Sequence, residues 1–179
     1  MGEFGAYPHA PSHLFVPESV YMVTAGTYRK KKFFNREIRL QKVVACLFQQ
    51  AKRHSWTLHA WAILPNHNHI IGTEPSDPFT LVSLIRGLHS ITAKYVNNLD
   101  RTAGRRVWHI YWDTCLTNET MVLTHMKYVH MNLVKHGLVS DPGDYPYCSY
   151  KWFVVSTTPW LRKKVLRQKL DNIRVHDSF

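Results

Sequence analysis

Hydrophobic and polar positions along the chain follow two different periods, and the changes between them predict the secondary structure. β-branched and aromatic residues typical of strands fill the segments 20–28, 57–65, 67–74 and 107–116. Apolar residues three and four positions apart predict helices at 39–56, 79–99, 119–139 and, in a basic segment, at 162–173. Gly137 near the end of the helix predicted at 119–139 is a stop signal.

The order of these elements predicts the fold class. Strand, helix, two strands, helix and strand form a βαββαβ series, which is the α+β ferredoxin-like arrangement. We therefore expect an antiparallel sheet with helices on one face, followed by a further helix at 119–139. The predicted organisation is a loose N-terminal arm at 1–18, a single folded unit at 19–151 and a basic helical tail at 152–179.

Composition and charge narrow the class of partner. The 179 residues are 45% hydrophobic and include 23 Lys+Arg against 12 Asp+Glu, which gives a formal net charge of +11. Such a chain can form one domain with a core, and its charge favours an anionic partner, most often nucleic acid. No apolar run approaches the ~18 residues of a membrane-spanning helix, so no membrane partner is expected. Three scattered cysteines favour a reducing compartment such as the cytoplasm, without a disulfide framework.

The motif PNHNHII, at 65–71, holds the first candidate chemistry. His67 and His69 stand two apart in a predicted strand, so their side chains share one face. Two imidazoles at this spacing can bind one cation, provided that a third ligand comes from elsewhere. The alternative is a solvated strand face or a hydrogen-bonded histidine pair, and short motifs of this kind often occur by chance.

The helix predicted at 119–139 carries two parallel stripes. The apolar stripe, which should face the core, consists of Val122, Met126, Val129 and Leu133. The polar stripe beside it consists of His125, Tyr128, Asn132 and His136. Tyr128 and Asn132 are one turn apart on the same face, which suits a nucleophilic hydroxyl next to an oxygen ligand. A helix shoulder with a partly buried tyrosine fits the spacing equally well.

Five ordered blocks of sequence resemble the HUH single-tyrosine transposases, and in particular the REP-associated branch. The blocks are VTAGTYRKKKFF, WAILPNHNHII, VWHIYWDTCLT, YVHMNLVKHGLV and YPYCSY, between about residues 20 and 151. The resemblance implies that His67 and His69 bind a divalent metal, Mg²⁺ or Mn²⁺. It implies further that Tyr128 is the catalytic nucleophile and that Asn132 is the third metal ligand.

The same resemblance implies a function. It predicts a metal-dependent single-stranded DNA endonuclease and strand transferase that acts beside DNA hairpins through a covalent 5′-phosphotyrosine. Relatives act as monomers or as homodimers, so the oligomeric state stays open. The alternative is a domesticated hairpin-binding protein with weak or no cleavage. An RNA-binding ferredoxin-like module would carry strand aromatics in a glycine-rich motif, which this chain lacks.

Two positions depart from the family pattern. Asn68 stands between the histidines, where the family has a bulky hydrophobic residue. We expect its side chain to point to the opposite face, toward the helices, where an unpaired amide costs about 1–3 kcal/mol. Leu133 follows Asn132 where relatives often have proline, so the helix is expected to run on to Val134 or beyond.

Basic and aromatic residues are the candidates for DNA contacts. The predicted phosphate and base contacts are Lys30, Lys31, Lys32, Arg101, Arg105, Arg106, Trp108, Arg162, Lys163 and Lys164. Tyr111 and Trp112 are further candidates for stacking, although aromatic runs in a domain of this size are more often core. Asp113 is either a partner of a metal-binding histidine or a cap of the next turn.

Overall fold

A computed structural model describes residues 19–75, 77, 80–171 and 173–175. The arm predicted at 1–18 lies outside the described residues. Within these residues the strands are β1 (Val20–Thr27), β2 (Thr57–Ile63), β3 (His67–Thr73) and β4 (Trp108–Leu116). The α-helices of the same ranges are α1 (Glu37–Arg53), α2 (Thr80–Leu99), α3 (Glu119–Lys135), α4 (Tyr150–Ser156) and α5 (Pro159–Leu166).

The strands form one antiparallel sheet in the order β2-β3-β1-β4. This order and the βαββαβ connectivity confirm the predicted ferredoxin-like α+β fold. Strand β1 lies in the centre and places Thr24 opposite His69 of β3 on one side and opposite Trp112 of β4 on the other. Strands β2 and β3 are joined by a tight turn, in which the Leu64 amide donates to the His67 carbonyl at 2.9 Å.

Each face of the sheet carries its own core because side chains alternate along a strand. Tyr21, Val23 and Ile70 pack with α1 and α2 on one face. Met22 and Ile71 pack with α3, α4 and α5 on the other face. The two helices of the βαββαβ unit, α1 and α2, therefore lie together on one face, as predicted. Helix α3 lies on the opposite face, where it packs against Met22 of β1.

After α3 the chain returns to the outer edge of β2. The Ile63 amide donates to the Tyr147 carbonyl at 3.0 Å, and the Ser149 amide donates to the Trp61 carbonyl at 2.9 Å. The Ser149 hydroxyl accepts from the Trp61 amide and lies 2.9 Å from Nε2 of His130 on α3. These bonds pair an edge that would otherwise be exposed, and they fasten α3 to β2.

Two predicted helices have wrong boundaries. The basic helix expected at 162–173 corresponds to α5, which begins earlier, at Pro159, and ends earlier, at Leu166. It begins there because Pro159 suits the first turn of a helix and Thr158 caps it by accepting from the Leu161 amide. Helix α3 ends at Lys135 rather than at 139, since Gly137 adopts a φ of 66°. Leu133 does let the helix continue past Val134, as expected.

Candidate active site

The rotation of α3 decides which of its side chains meet the sheet. Asn118 caps the helix by accepting from the Met121 amide at 2.9 Å. Val129 and Leu133 are fully buried against the sheet, as the apolar stripe predicts. With these residues on the core side, the neighbouring polar stripe turns Tyr128 and Asn132 toward β3.

Four predicted site residues come together between β3 and α3. His67 and His69 are buried on the face that α3 covers, and their ring centroids are 5.1 Å apart. Nε2 of His67 lies 3.2 Å from Oδ1 of Asn132. The ring of Tyr128 lies 5.4 Å from the ring of His69, edge to face. The sequence interpretation that these residues share one site is thus matched by their positions in the fold.

Hydrogen bonds orient each histidine through the same ring nitrogen. Nδ1 of His69 lies 2.9 Å from the hydroxyl of Thr24, and Nδ1 of His67 lies 2.9 Å from the amide oxygen of Asn66. Nε2 is consequently the nitrogen that each ring offers to a metal, an arrangement typical of oriented histidine ligands. Sequence reasoning missed Thr24 and Asn66, although Asn66 belongs to the motif and directly precedes His67.

The donor set fits a divalent cation. Two imidazole nitrogens with one amide oxygen suit Mn²⁺ and are tolerated by Mg²⁺. Among the described residues, no three His, Cys, Asp or Glu side chains are grouped closely enough to hold a metal ion. A metal at this position would therefore need the amide oxygen of Asn132, whose side chain lies beside His67.

Two further cationic or titratable side chains border the site. The ring of His136 lies 4.8 Å from the ring of His67, and Nζ of Lys135 lies 5.5 Å from the centroid of Tyr128. His136 belongs to the predicted polar stripe but received no role, and Lys135 was missed. Lys135 stands seven residues, or two helical turns, after Tyr128, and this spacing is the signal that would have placed Lys135 at the site.

The segment that follows α5 runs along α3 and lines a cavity beside the tyrosine. Nζ of Lys127 donates to the carbonyls of Leu166 and Gln168 at 2.8 and 2.6 Å. A cavity of about 340 Å³ beside the tyrosine is lined by Tyr128, Met131, Asn132, Lys135, Leu170, Ile173 and Val175. Tyr128 is only 5% exposed.

The predicted lysine cluster lies at the same end of the sheet as His67. Lys30, Lys31 and Lys32 are exposed. The turn before β3 approaches them, because the Thr27 amide donates to the Asn66 carbonyl at 2.8 Å. A strand of nucleic acid held by these lysines would pass close to the start of β3.

The predicted arginines in the loop before β4 have different surroundings. Arg101 and Arg106 are exposed, and the Arg106 guanidinium lies 4.9 Å from the ring centroid of Tyr28 beside the lysine cluster. Arg105 instead forms a 2.5 Å ion pair with Asp100 and stacks on a phenylalanine. Hydrogen bonds from Arg105 and then from Arg39 hold the pKa of the Asp100 carboxyl below its usual range. Arg105 is thus engaged within the fold.

The indole of Trp108 is part of the core. The residue is 6% exposed, its ring stacks on His89 at 4.5 Å, and its Nε1 donates to Thr92 at 2.9 Å. Both ring faces are covered in this way, since Phe34 stacks at 4.9 Å. The expectation that Trp108 stacks on bases does not suit this position, and the core alternative describes it. Tyr111 likewise packs against His89.

The three side chains of α5 that were predicted to contact DNA have different surroundings. Arg162 donates to the Val154 carbonyl and joins α5 to α4, whereas Lys163 is exposed. Lys164 pairs with Glu119 at 2.5 Å.

Asp113 of β4 lies opposite Val23, on the sheet face away from the histidines. The suggestion that Asp113 supports a metal-binding histidine is therefore wrong.

Burial shifts the pKa values of His130 and Cys148 in opposite directions. It lowers the pKa of His130 to about 4 and raises the pKa of Cys148 to about 12. The three cysteines, Cys46, Cys115 and Cys148, are free thiols. Within the part of the chain that the structure describes, no helix is both long and apolar enough to span a bilayer.

Two curated proteins and one solved structure that are similar to this chain are all described as transposases. No family model matches the chain. Over 142 residues it is 25% identical to a REP-associated tyrosine transposase of Escherichia coli, an alignment that covers 73% of this chain and 79% of that protein. A protein of Haemophilus influenzae with the same family name is 22% identical over 111 residues, which cover 57% of this chain and 63% of that protein.

A solved structure agrees with this result at the level of the fold. It is described as a REP-associated tyrosine transposase bound to a REP hairpin, and it matches with a TM-score of 0.67 at 20% identity. The match covers 87% of this chain and 86% of that one. The resemblance carried by the histidine and tyrosine motifs is therefore confirmed: in sequence and in fold, the chain is similar to the REP-associated tyrosine transposases.

Proposed function

We propose that the chain is a metal-dependent single-stranded DNA endonuclease and strand transferase that acts beside DNA hairpins. The observation that carries the proposal is the meeting of Tyr128 and Asn132 with the two histidines between α3 and β3. A nucleophile and a set of metal donors at one place are what phosphodiester cleavage requires. The hairpin substrate is supported by the similar transposase whose structure holds a REP hairpin.

Cationic side chains would bring the DNA backbone to this place. The exposed lysines at 30–32 and Arg106 lie around Tyr28, at the end of the sheet where His67 begins β3. Lysine and arginine side chains bind phosphates without regard to sequence and release counterions as they do so. Recognition of the hairpin itself would come from its shape and from its unpaired bases.

His67, His69 and Asn132 would hold the divalent ion, Mg²⁺ or Mn²⁺. When bound, the ion supplies Lewis-acid polarisation of the scissile phosphate and offsets the negative charge of the transition state. The chain's own part is orientation: Thr24 and Asn66 fix the two imidazoles through Nδ1. The His67–Asn132 contact at 3.2 Å keeps a donor of α3 next to a donor of β3.

Tyr128 would carry the covalent step. A phenol, with an ordinary pKa of about 10, is mostly neutral at pH 7, so its proton must leave to water as Oη attacks. The new bond joins Oη to phosphorus, and the bond between phosphorus and O3′ breaks. The departing O3′ takes the electron pair and a proton, which leaves a free 3′-OH and a 5′-phosphotyrosine. Attack by another 3′-OH reverses these bonds and joins strands without an external energy source.

A second candidate function is hairpin binding with little or no cleavage. The observation that favours it is the burial of Tyr128, which is 5% exposed and shares a cavity lining with Leu170, Ile173 and Val175. Such a protein would bind the same DNA but would leave it intact. The two functions differ in only one readout, the formation of a covalent adduct.

A denaturing gel separates these functions. The purified protein is mixed with a REP hairpin that has single-stranded flanks and a 3′ label, in Mn²⁺ or Mg²⁺ and, separately, in EDTA. We expect a labelled band at the mass of the protein that is lost in EDTA and in Tyr128→Phe. The matched control is Tyr95→Phe, which removes a phenol on α2 and should retain the band. Tight DNA binding without any adduct would select the binding function instead.

A further inference from the structure

A second groove lies at the outer edge of β2, between α1 on one side and α4 on the other. Its volume is about 450 Å³, within the range of small-ligand sites, and it is lined by Phe48, Ala51, Lys52, Trp56, Leu58, Trp61 and Trp152. Trp61 packs on the side of α1 and α2, whereas the histidines face α3. The groove is therefore separate from the site of the proposed cleavage.

Aromatic rings dominate this groove and two of them are open to solvent. Phe48 is 46% exposed and Trp152 is 48% exposed, whereas Trp61 between them is 9% exposed. The ring of Phe48 meets Trp61 at 4.9 Å, edge to face, and the ring of Trp152 lies 5.9 Å from Trp61. Phe48 is inclined at 81° and Trp152 at 31° to Trp61, so the two exposed rings are not parallel. A flat ligand can therefore stack on Trp152 while its edge meets the ring of Phe48.

The charge around the rings is positive. Lys52 lines the groove and stands four residues after Phe48, so both side chains lie on one face of α1. The neighbouring side chains Arg53 and Lys151 are exposed. The described residues that line the groove include no carboxylate. A ligand that joins a flat ring to an anion fits this combination of side chains.

We propose that this groove binds unpaired nucleotides of single-stranded DNA, with a base stacked on Trp152, the ring of Phe48 against the edge of that base, and a phosphate at Lys52. This inference rests on the proposed function, since it assigns a second contact to the same class of substrate. A groove of this kind binds bases without regard to sequence, because every base has a π-face. Two copies of a chain with a net charge of +11 repel each other, which disfavours a second copy as the occupant.

The test measures the affinity of the full-length protein for labelled oligothymidylate, which forms no hairpin, by fluorescence anisotropy. Trp152→Ala should weaken binding roughly 5- to 150-fold, the loss expected for one stacked base. Trp152→Phe should restore most of the affinity because it returns an aromatic face. The matched control is Trp160→Ala on α5, a residue that is 66% exposed and lies outside the groove.

Lys52→Gln provides an independent variant. It should weaken binding and lower the slope of log affinity against log salt by about 0.7, as for one phosphate contact with a single strand. Phe48→Ala tests the contact with the base from α1 if Trp152→Ala does not fold. Wild-type affinity in both aromatic variants would overturn the proposal. So would a change of oligomeric state in sedimentation without a change in affinity, since the groove would then be an interface between copies.

Failure of this inference can be distinguished from failure of the proposed function. The binding measurements are made in Tyr128→Phe as well, where no cleavage is expected. Loss of oligothymidylate affinity in Trp152→Ala, with no adduct formed on any hairpin by the wild type, supports the groove and rejects the nuclease. An adduct formed by the wild type, with equal affinities for wild type and Trp152→Ala, has the reverse meaning.

Discussion

Nε2 of His67 lies 3.2 Å from the amide oxygen of Asn132. The contact joins the first residue of β3 to the last turn of α3, across 65 positions of sequence. Asn132 stands four residues, about one helical turn, after Tyr128, so the amide oxygen of Asn132 and the phenol of Tyr128 lie on the same face of α3. The position of the nucleophile relative to the metal donors is thus set by the packing of one helix on one strand.

The hydroxyl of Thr24 should control metal affinity through His69. Thr24→Val keeps the shape of the side chain and removes the 2.9 Å hydrogen bond to Nδ1. Loss of such an orienting bond costs about 10- to 100-fold in metal affinity. Calorimetric titration of the DNA-free protein with Mn²⁺ measures it.

Thr92→Val is the matched control for this experiment, since Thr92 is a buried threonine that accepts from Trp108 on the other face of the sheet. It should lower stability and leave Mn²⁺ affinity unchanged. Equal Mn²⁺ affinity in wild type and Thr24→Val would remove Thr24 from the account.

Neighbouring arginines before β4 should give opposite results. Arg106→Gln removes an exposed cation beside Tyr28, so it should weaken DNA binding and reduce the salt slope by about 0.7–0.9. Arg105→Gln breaks the ion pair with Asp100, so it should lower the free energy of unfolding by about 1 kcal/mol and leave the salt slope unchanged. Anisotropy at several salt concentrations and urea unfolding measure the two effects. The assignment fails if the two variants exchange these phenotypes.

Asn68 should be a destabilising residue. Its side chain is fully buried, and neither amide atom has a hydrogen-bond partner among the described residues. Asn68→Leu should therefore raise the free energy of unfolding by about 1–3 kcal/mol, as measured by urea denaturation. Asn97→Leu is the contrasting control, because the amide of Asn97 bonds to Arg105 at 2.7 and 3.0 Å and its loss should destabilise. A less stable Asn68→Leu would mean that the amide has a polar partner after all.

Stability should fall in mild acid because of the buried histidines. Burial lowers the pKa of His130 from 6.5 to about 4, so the folded protein keeps this imidazole neutral while the unfolded chain protonates it. The stability that the neutral His130 contributes to the free energy of unfolding is fully present above pH 6.5. It decreases as the pH falls and is lost by about pH 4. From pH 7 to pH 5 the loss is about 2 kcal/mol for this residue.

Urea unfolding of His130→Gln at both pH values tests the assignment. The variant should show a shallower pH dependence than the wild type. It should keep part of the slope, because the pKa of His89 is lowered to about 3 by the same cause. An unchanged slope would contradict the role given to His130.

Local pattern was enough to predict the strands and the shared face of His67 and His69, because a period of two fixes the face of a strand. It was also enough to place Tyr128 and Asn132 together, because a helical turn brings them together wherever the helix packs. The partner of His69 could not be found in this way. Thr24 reaches it through the register of β1 against β3, which no short segment encodes.

Composition misled where a side chain's role depends on tertiary partners. Trp108 begins β4 beneath α2, and its hydrogen bond to Thr92 makes it a core residue. Arg105 belongs to a basic loop, yet a single acidic neighbour, Asp100, engages it. An exposed and a buried aromatic residue, or a free and a paired arginine, look alike in a sequence.

The most direct test of the central claim is to find the residue that carries the DNA. The wild-type protein is incubated with Mn²⁺ and a REP hairpin, the adduct is digested with a protease and a nuclease, and the nucleotide-bearing peptide is identified by mass spectrometry. The account predicts one modified peptide, from α3, with the nucleotide linked through its 5′-phosphate to the oxygen of Tyr128. A nucleotide on any other residue, or no modified peptide from DNA that has been cut, would contradict it.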